Sequence, residues 1–190
     1  MTDFPSSVRI NEEGPREGFQ IESASIPTSS KIEVIDKLSQ TALKQIQVVS
    51  FVNPKRVPGM ADADRVVAGF RAHDGVRYTS LWLNEQGFRR AAASGRLSLS
   101  GRIVLSASEA FLQRNQRLTL KENIDAHRAM MPIYAEHDVP VTHGGLQAAF
   151  GCNFQGEIPV ETVVSAAADV FAIASEFSQM IKTFVLADTM

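Results

Sequence analysis

The sequence predicts an α/β protein with a parallel sheet, and three observations carry that reading. Runs of strand length and runs with helical spacing alternate about six times along the 190 residues, which is the pattern of right-handed βαβ crossovers. The run at 46–51 is apolar-rich on both faces, as a strand covered on both sides is. Polar residues follow one strand after another: Arg16 and Glu17, Asn53, Asn84, Ser106 with Ser108, Gln147 and Asp188. A doubly wound sheet would gather such groups at a switch point, often with a glycine-rich phosphate loop, whereas a barrel spreads them over the C-terminal ends of most strands. No GxGxxG or Walker pattern occurs. The expected class is therefore a (β/α)8 TIM-barrel type, with about six of its eight βα units in this chain.

Residues 8–13 read as a short first strand that delivers Gly14-Pro15-Arg16-Glu17-Gly18-Phe19-Gln20. Pro15 fixes φ and the flanking glycines permit a tight path, so this segment is expected to be a loop holding Arg16 and Glu17 side by side. A guanidinium beside a carboxylate can grip an anionic oxygen and a hard cation at once. Pro27 and the capping candidates Thr28, Ser29 and Ser30 precede Ile32, Ile35, Leu38 and Ala42, whose spacing predicts a helix with one buried face. The second strand, 46–51, is interrupted only by Gln47 and Ser50 and stops at Val52-Asn53-Pro54-Lys55.

Residues 61–70 read as a helix with Asp62 and Asp64 in its first turn, and His73-Asp74-Gly75 precedes a third strand at 76–83. Asn84 can cap a helix through Ala93 with Gly95 as its stop. A fourth strand spans 102–106, followed by the polar turn Ala107-Ser108-Glu109. Thr119 and Glu122 form a capping box for a helix to about Glu136, in which Pro132 predicts a kink or early break. Residues 139–146 read as strand five, weakened by Gly144-Gly145; Pro159 suits the first turn of a helix through about Phe177; residues 183–187 form strand six.

The length suits one domain, 1–190, with a flexible N-terminus at 1–7, and 44% hydrophobic with 21% charged content is that of a globular protein. Nineteen basic against twenty-one acidic residues, with no basic block, argue against nucleic acid as a partner. No apolar run reaches the roughly 18 residues of a membrane span, and a single cysteine, Cys152, excludes an internal disulfide framework; a cytoplasmic protein is expected.

From about Ile10 onward the chain resembles the 3-hydroxy-3-methylglutaryl-CoA lyase family of metal-dependent (β/α)-barrel lyases. The resemblance is carried by Gly14-Pro15-Arg16-Glu17-Gly18-Phe19-Gln20, by Ser50-Phe51-Val52-Asn53-Pro54-Lys55 with Val57-Pro58-Gly59-Met60-Ala61-Asp62, and by Ser108-Glu109-Ala110-Phe111 with Asn115. Phe150-Gly151-Cys152-Asn153-Phe154-Gln155-Gly156 and Ala187-Asp188-Thr189 follow in the family's order. The resemblance implies metal-assisted retro-aldol cleavage of a 3-hydroxyacyl-CoA to acetyl-CoA and a keto acid. It implies a divalent ion, Mg²⁺ or Mn²⁺, with Glu17 as a ligand, Arg16 stabilising the enolate oxygen, and Asp188 holding or polarising the reacting groups. Gln20, Gln47, Asn53 and Ser108 are the implied substrate contacts.

Two residues depart from the family pattern. Glu17 stands in place of an aspartate, and Gln47 in place of a glutamate, where an amide can neither take up nor release a proton. They point to a different acyl-CoA substrate, or to a catalytically silent acyl-CoA-binding relative. The family's His-x-His metal pair has no counterpart among His73, His127, His137 and His143, so the resemblance describes a divergent, C-terminally incomplete member whose metal site is not complete within this chain. Open strand edges would then favour a homo-oligomer or strand exchange. His143 and Cys152 read more simply as structural residues, Trp82, Phe111 and Phe154 as packing, and Arg89-Arg90 as a solvated helix face.

Overall fold

Gln45–Phe51 forms the central strand of the first half of the chain, β2. Ile46, Val48, Val49 and Phe51 are β-branched or aromatic, suit the pleated backbone, and are almost fully buried. Burying each contributes roughly 1.5–3 kcal/mol relative to leaving it in water. In the computed structural model, which describes residues 5–22 and 24–190, β2 lies between β1 (Asn11–Glu12) and β3 (Arg77–Trp82), both parallel to it. The first four positions of the expected flexible N-terminus lie outside the described residues. The chain divides into two compact units, the first ending at Leu99 and the second spanning Ser100–Met190.

In the first unit, α1 (Gly14–Ile21) and α2 (Thr28–Ser39) lie between β1 and β2, α3 (Ala63–Gly69) precedes β3, and α4 (Glu85–Ala93) follows it. The sequence reading made β1 too long and made α1 a loop. Pro15 sits at the start of α1, where its missing N–H costs nothing, and neither Gly14 nor Gly18 takes a positive φ. The capping role expected of Thr28, Ser29 and Ser30 is not filled: Pro27 occupies the N-cap and no side chain caps α2. Asn84 does cap α4, accepting from the Gly87 N–H at 3.0 Å, and Gly95 follows with φ 62°.

The second unit repeats the arrangement as β4 (Gly101–Ser106), β5 (Val141–Gln147) and β6 (Thr183–Leu186), again parallel and paired in chain order. Between β4 and β5 run α5 (Glu109–Gln116) and α6 (Leu120–Glu136); α7 (Val160–Glu176) joins β5 to β6. The sequence reading took the start of α5 for a plain turn. Only Phe111 and Leu112 of α5 are buried, too few to print a helical period, and Ser108 starts the helix by accepting from the Phe111 N–H. The Thr119–Glu122 capping box forms in both directions.

Pro132 does not end α6, whose buried Met130, Met131 and Tyr134 hold the helix on either side of it. Pro159 is the N-cap of α7 instead of a first-turn residue. Gly144 and Gly145 do not weaken β5 but admit its neighbours: a Cβ on Gly144 would meet Val170 at 2.9 Å and Phe184 at 3.0 Å. Across the described residues, each unit builds its own three-stranded parallel sheet, and strand and helix alternate along the chain as the sequence predicts.

Candidate active site

The site begins where β1 ends. Glu13 is the last residue before α1, and its carbonyl accepts from the N–H groups of Arg16 and Glu17 at 3.0 and 2.8 Å, closing the first helical turn. That turn carries the Arg16 side chain to β2. Its Nε–H donates to Gln47 Oε1 at 2.6 Å, Nη2 donates to a carboxylate oxygen of Glu13, and Glu17 Oε2 stands 3.4 Å from Nη2. The arginine side chain is 13% exposed while that of Glu17 is 64% exposed. The guanidinium is thus anchored from below by a buried amide and flanked on its open side by two carboxylates. Nη1 carries two further N–H donors.

One turn along α1, Gln20 accepts a hydrogen bond from Ser50 Oγ at 2.8 Å. In a regular strand, residues three apart point to opposite faces. Here the register of β2 shifts between Gln47 and Val49, so Gln47 pairs with Thr79 and Ser50 with Leu81. Val48 is the extra residue of a bulge, and Gln47 and Ser50 come to the same face, both against α1. Thr79, directly across from Gln47, has a buried hydroxyl with no hydrogen-bond partner.

Of the residues expected from sequence, Arg16, Glu17 and Gln47 are brought together, and Gln20 lies one helical turn away. Asn53 lies exposed two residues beyond β2, where its Oδ1 accepts from the Lys55 N–H at 2.9 Å and closes its own turn. Close by, a cavity of about 210 Å³ is lined by Phe51, Asn53, Asn84 and Arg90. Arg90 pairs with Asp64 at 2.6 Å and stacks over Phe51, so it is not the solvated charge the sequence reading made it.

Ser108 and Asp188 belong to the second unit. Ser108 is fully buried; its hydroxyl accepts from Phe111 N–H and donates to Gln155 Oε1 at 3.0 Å. Cys152 is buried beside it. Burial raises the thiol's pKa, but the polar groups around it, the Ser108 hydroxyl first and then the N–H groups of Phe154, Gln155 and Phe111, outweigh that and leave it below the ordinary value. Gln147, the last residue of β5, buries an Oε1 that has no partner. Asp188 is exposed two residues after β6.

Sequence reasoning missed Glu13 and Thr79. An acid three residues before Arg16 would have signalled Glu13 had the segment been read as a helix. Thr79 carries no signal until the strand register is known.

A hard divalent cation takes six or more oxygen ligands. Among the described residues no three His, Cys, Asp or Glu side chains come close enough to hold a metal ion. Both carboxylates near the site, Glu13 and Glu17, face the guanidinium. The residues present therefore do not by themselves fit such an ion.

No family model matches the chain. It is 37% identical over 173 residues to the cytoplasmic 3-hydroxy-3-methylglutaryl-CoA lyase of Mus musculus, covering 91% of this chain and 50% of that one. It superposes on the crystal structure of hydroxymethylglutaryl-CoA lyase from Pseudomonas aeruginosa with a TM-score of 0.82 at 34% identity, covering 97% of this chain and 58% of that one. An HMG-CoA lyase from Acinetobacter baumannii, solved in complex with coenzyme A and 3-methylmalate, gives 0.81 at 29% identity, covering 100% and 59%. The chain spans about half the length of the curated relatives it matches. Its fold is the parallel α/β, TIM-barrel type of these neighbours. In sequence and in fold, over the part of their length that it spans, the chain is similar to the 3-hydroxy-3-methylglutaryl-CoA lyases.

Proposed function

We propose that this chain forms part of a carbon–carbon lyase that cleaves a 3-hydroxyacyl-CoA of the hydroxymethylglutaryl-CoA kind to acetyl-CoA and a keto acid. The observation that carries the reading is Arg16, fixed in the first turn of α1 by Gln47 and held at the C-terminal edge of the β1–β2 pair. In the cleavage, the C3 hydroxyl loses its proton and becomes the keto carbonyl. The C2–C3 bond breaks, its electron pair passes to C2 as a thioester enolate, and C2 takes up a proton to give acetyl-CoA.

Arg16 is the group that meets the charge developing on the thioester oxygen, a form of stabilisation that needs a donor already in place. Gln47 supplies that placement, since an amide transfers no proton. Asp188 is proposed to polarise the reacting groups, and Glu17 to offer one oxygen toward a divalent cation, Mg²⁺ or Mn²⁺. Gln20 and Asn53 are proposed as polar contacts to the acyl-CoA. Ser108, being buried, would act through the Gln155 amide that it holds. The exposed apolar residues Val185 and Leu186 on the edge strand β6 support self-association. No helix among the described residues is long and apolar enough to cross a membrane, and the cytoplasm is the proposed compartment.

Incubation of the longest available protein that contains this chain with hydroxymethylglutaryl-CoA and Mg²⁺ or Mn²⁺, followed by assay of acetyl-CoA, tests the proposal. Release of acetyl-CoA is the expected result. The pairing of Arg16 with an amide favours one second reading, a silent acyl-CoA-binding relative. No turnover, combined with a raised melting temperature in the presence of the acyl-CoA, would select it.

A further inference from the structure

Lys31, on α2, is 4% exposed, although an ammonium is costly to bury unless it is paired and hydrogen-bonded. Its Nζ donates to the carbonyl oxygen of Gly59 at 2.6 Å and to Asp62 Oδ1 at 2.7 Å. Asp62 Oδ2 in turn accepts from the Thr28 hydroxyl at 2.7 Å. Asp62 stands at the N-cap of α3, yet its side chain caps no N–H there and is turned to α2 instead. A buried ion pair rarely adds stability over an apolar pair of the same volume, so the arrangement is better explained by what it holds in place.

What it holds is Gly59. A Cβ on that residue would stand 2.5 Å from the carbonyl oxygen of Phe19 and 3.8 Å from that of Glu22. The last turn of α1 and the residue that ends it thus rest directly on the Gly59 backbone. Arg16 lies one turn earlier on the same helix, and its Nε–H reaches Gln47 on β2. A continuous path of contacts therefore runs from Lys31 through Gly59 and α1 to the guanidinium.

We propose that Lys31, locked to Asp62 and Gly59, is a positioning residue that sets the height of α1 over β2 and so aims the Arg16 guanidinium. Its importance to catalysis rests on the reading of Arg16 given above; its test does not.

The test reads the Arg16 Nε–H resonance in ¹H–¹⁵N spectra. Replacing Lys31→Met together with Asp62→Leu removes both charges and strands neither. The Nε–H is expected to exchange with solvent at least about tenfold faster in this variant, while the β2 amides that pair with β3 keep their protection, because the opening is local. Gly59→Ala attacks the same path from the other side and stands in if the double variant does not fold. An unchanged Arg16 signal in a folded variant overturns the proposal. Turnover is read separately. A displaced Nε–H in the variant, beside a wild type that cleaves no acyl-CoA, upholds the positioning and removes the lyase reading. An unchanged Nε–H beside a working lyase does the reverse.

Discussion

Arg16 and Gln47 meet through one hydrogen bond, Nε–H to Oε1 at 2.6 Å, which ties the first turn of α1 to the third residue of β2. The bond fixes the plane of the guanidinium and leaves its charge uncompensated from below, since the partner is an amide.

Two substitutions at this contact should move activity in opposite directions. Arg16→Lys keeps the charge but loses the planar fork, and is expected to lower kcat by about 100-fold or more, the scale of losing a positioned donor. Gln47→Glu places a proton-accepting carboxylate at the site and is expected to raise kcat about tenfold or more. Both are read as acetyl-CoA release at saturating substrate.

The Lys31–Asp62 pair predicts an acid limb in stability. Burial raises the Asp62 pKa, but hydrogen bonds from Lys31 and Thr28 and the charge of Lys31 outweigh it, so the carboxyl titrates below its ordinary value of 3.8. The folded protein then binds this proton less readily than the unfolded chain. The contribution is present above the unfolded value and is lost as pH falls toward the folded one. Asp62→Asn leaves Lys31 buried and unpaired, and denaturant melts at pH 7 should show a loss of about 3 kcal/mol.

His127 on α6 predicts a second pH dependence. Its Nε2 lies 2.8 Å from the Val104 carbonyl oxygen, and burial, more than that hydrogen bond can offset, pushes its pKa below 6.5. The fold therefore favours the neutral ring. As pH falls through 6.5 the unfolded chain takes a proton that the folded one does not, and stability declines. Melting temperatures from pH 7 to pH 5 should fall in the wild type and fall less steeply in His127→Gln; a ring titrating at or above the ordinary value by NMR would contradict this.

Metal binding by the chain should be weak. With Glu17 turned toward a guanidinium and no group of three metal-ligating side chains among the described residues, isothermal titration of Mn²⁺ is expected to give a Kd of about 1 mM or weaker. A micromolar Kd would mean that the ligands gather in a way the present arrangement does not provide.

The helices that were legible carried their signals in neighbouring residues. Asn84 announced α4 and the Thr119–Glu122 box announced α6, because a cap satisfies the orphan N–H groups of the same turn. The segment at Gly14–Ile21 was misread because proline and two glycines mark turns in most settings, while proline is equally at home in a helix's first turn. At α5, two buried residues left no period to read.

The sequence by itself determined the alternation of strand and helix, the parallel class, and the residues that follow the strands, since these depend on local periodicity and on turn and cap chemistry. Only the tertiary structure decided what those residues touch. The bulge at Val48, which turns Gln47 and Ser50 to one face, depends on how β2 registers against β3. The burial of Lys31 against Asp62 and Gly59 depends on contacts between residues about thirty positions apart. The grip of Glu13 and Gln47 on Arg16 depends on one helix settling over one strand. Long-range contacts of this kind leave no trace in local sequence, because each residue's propensity is the same whichever partner the fold brings to it.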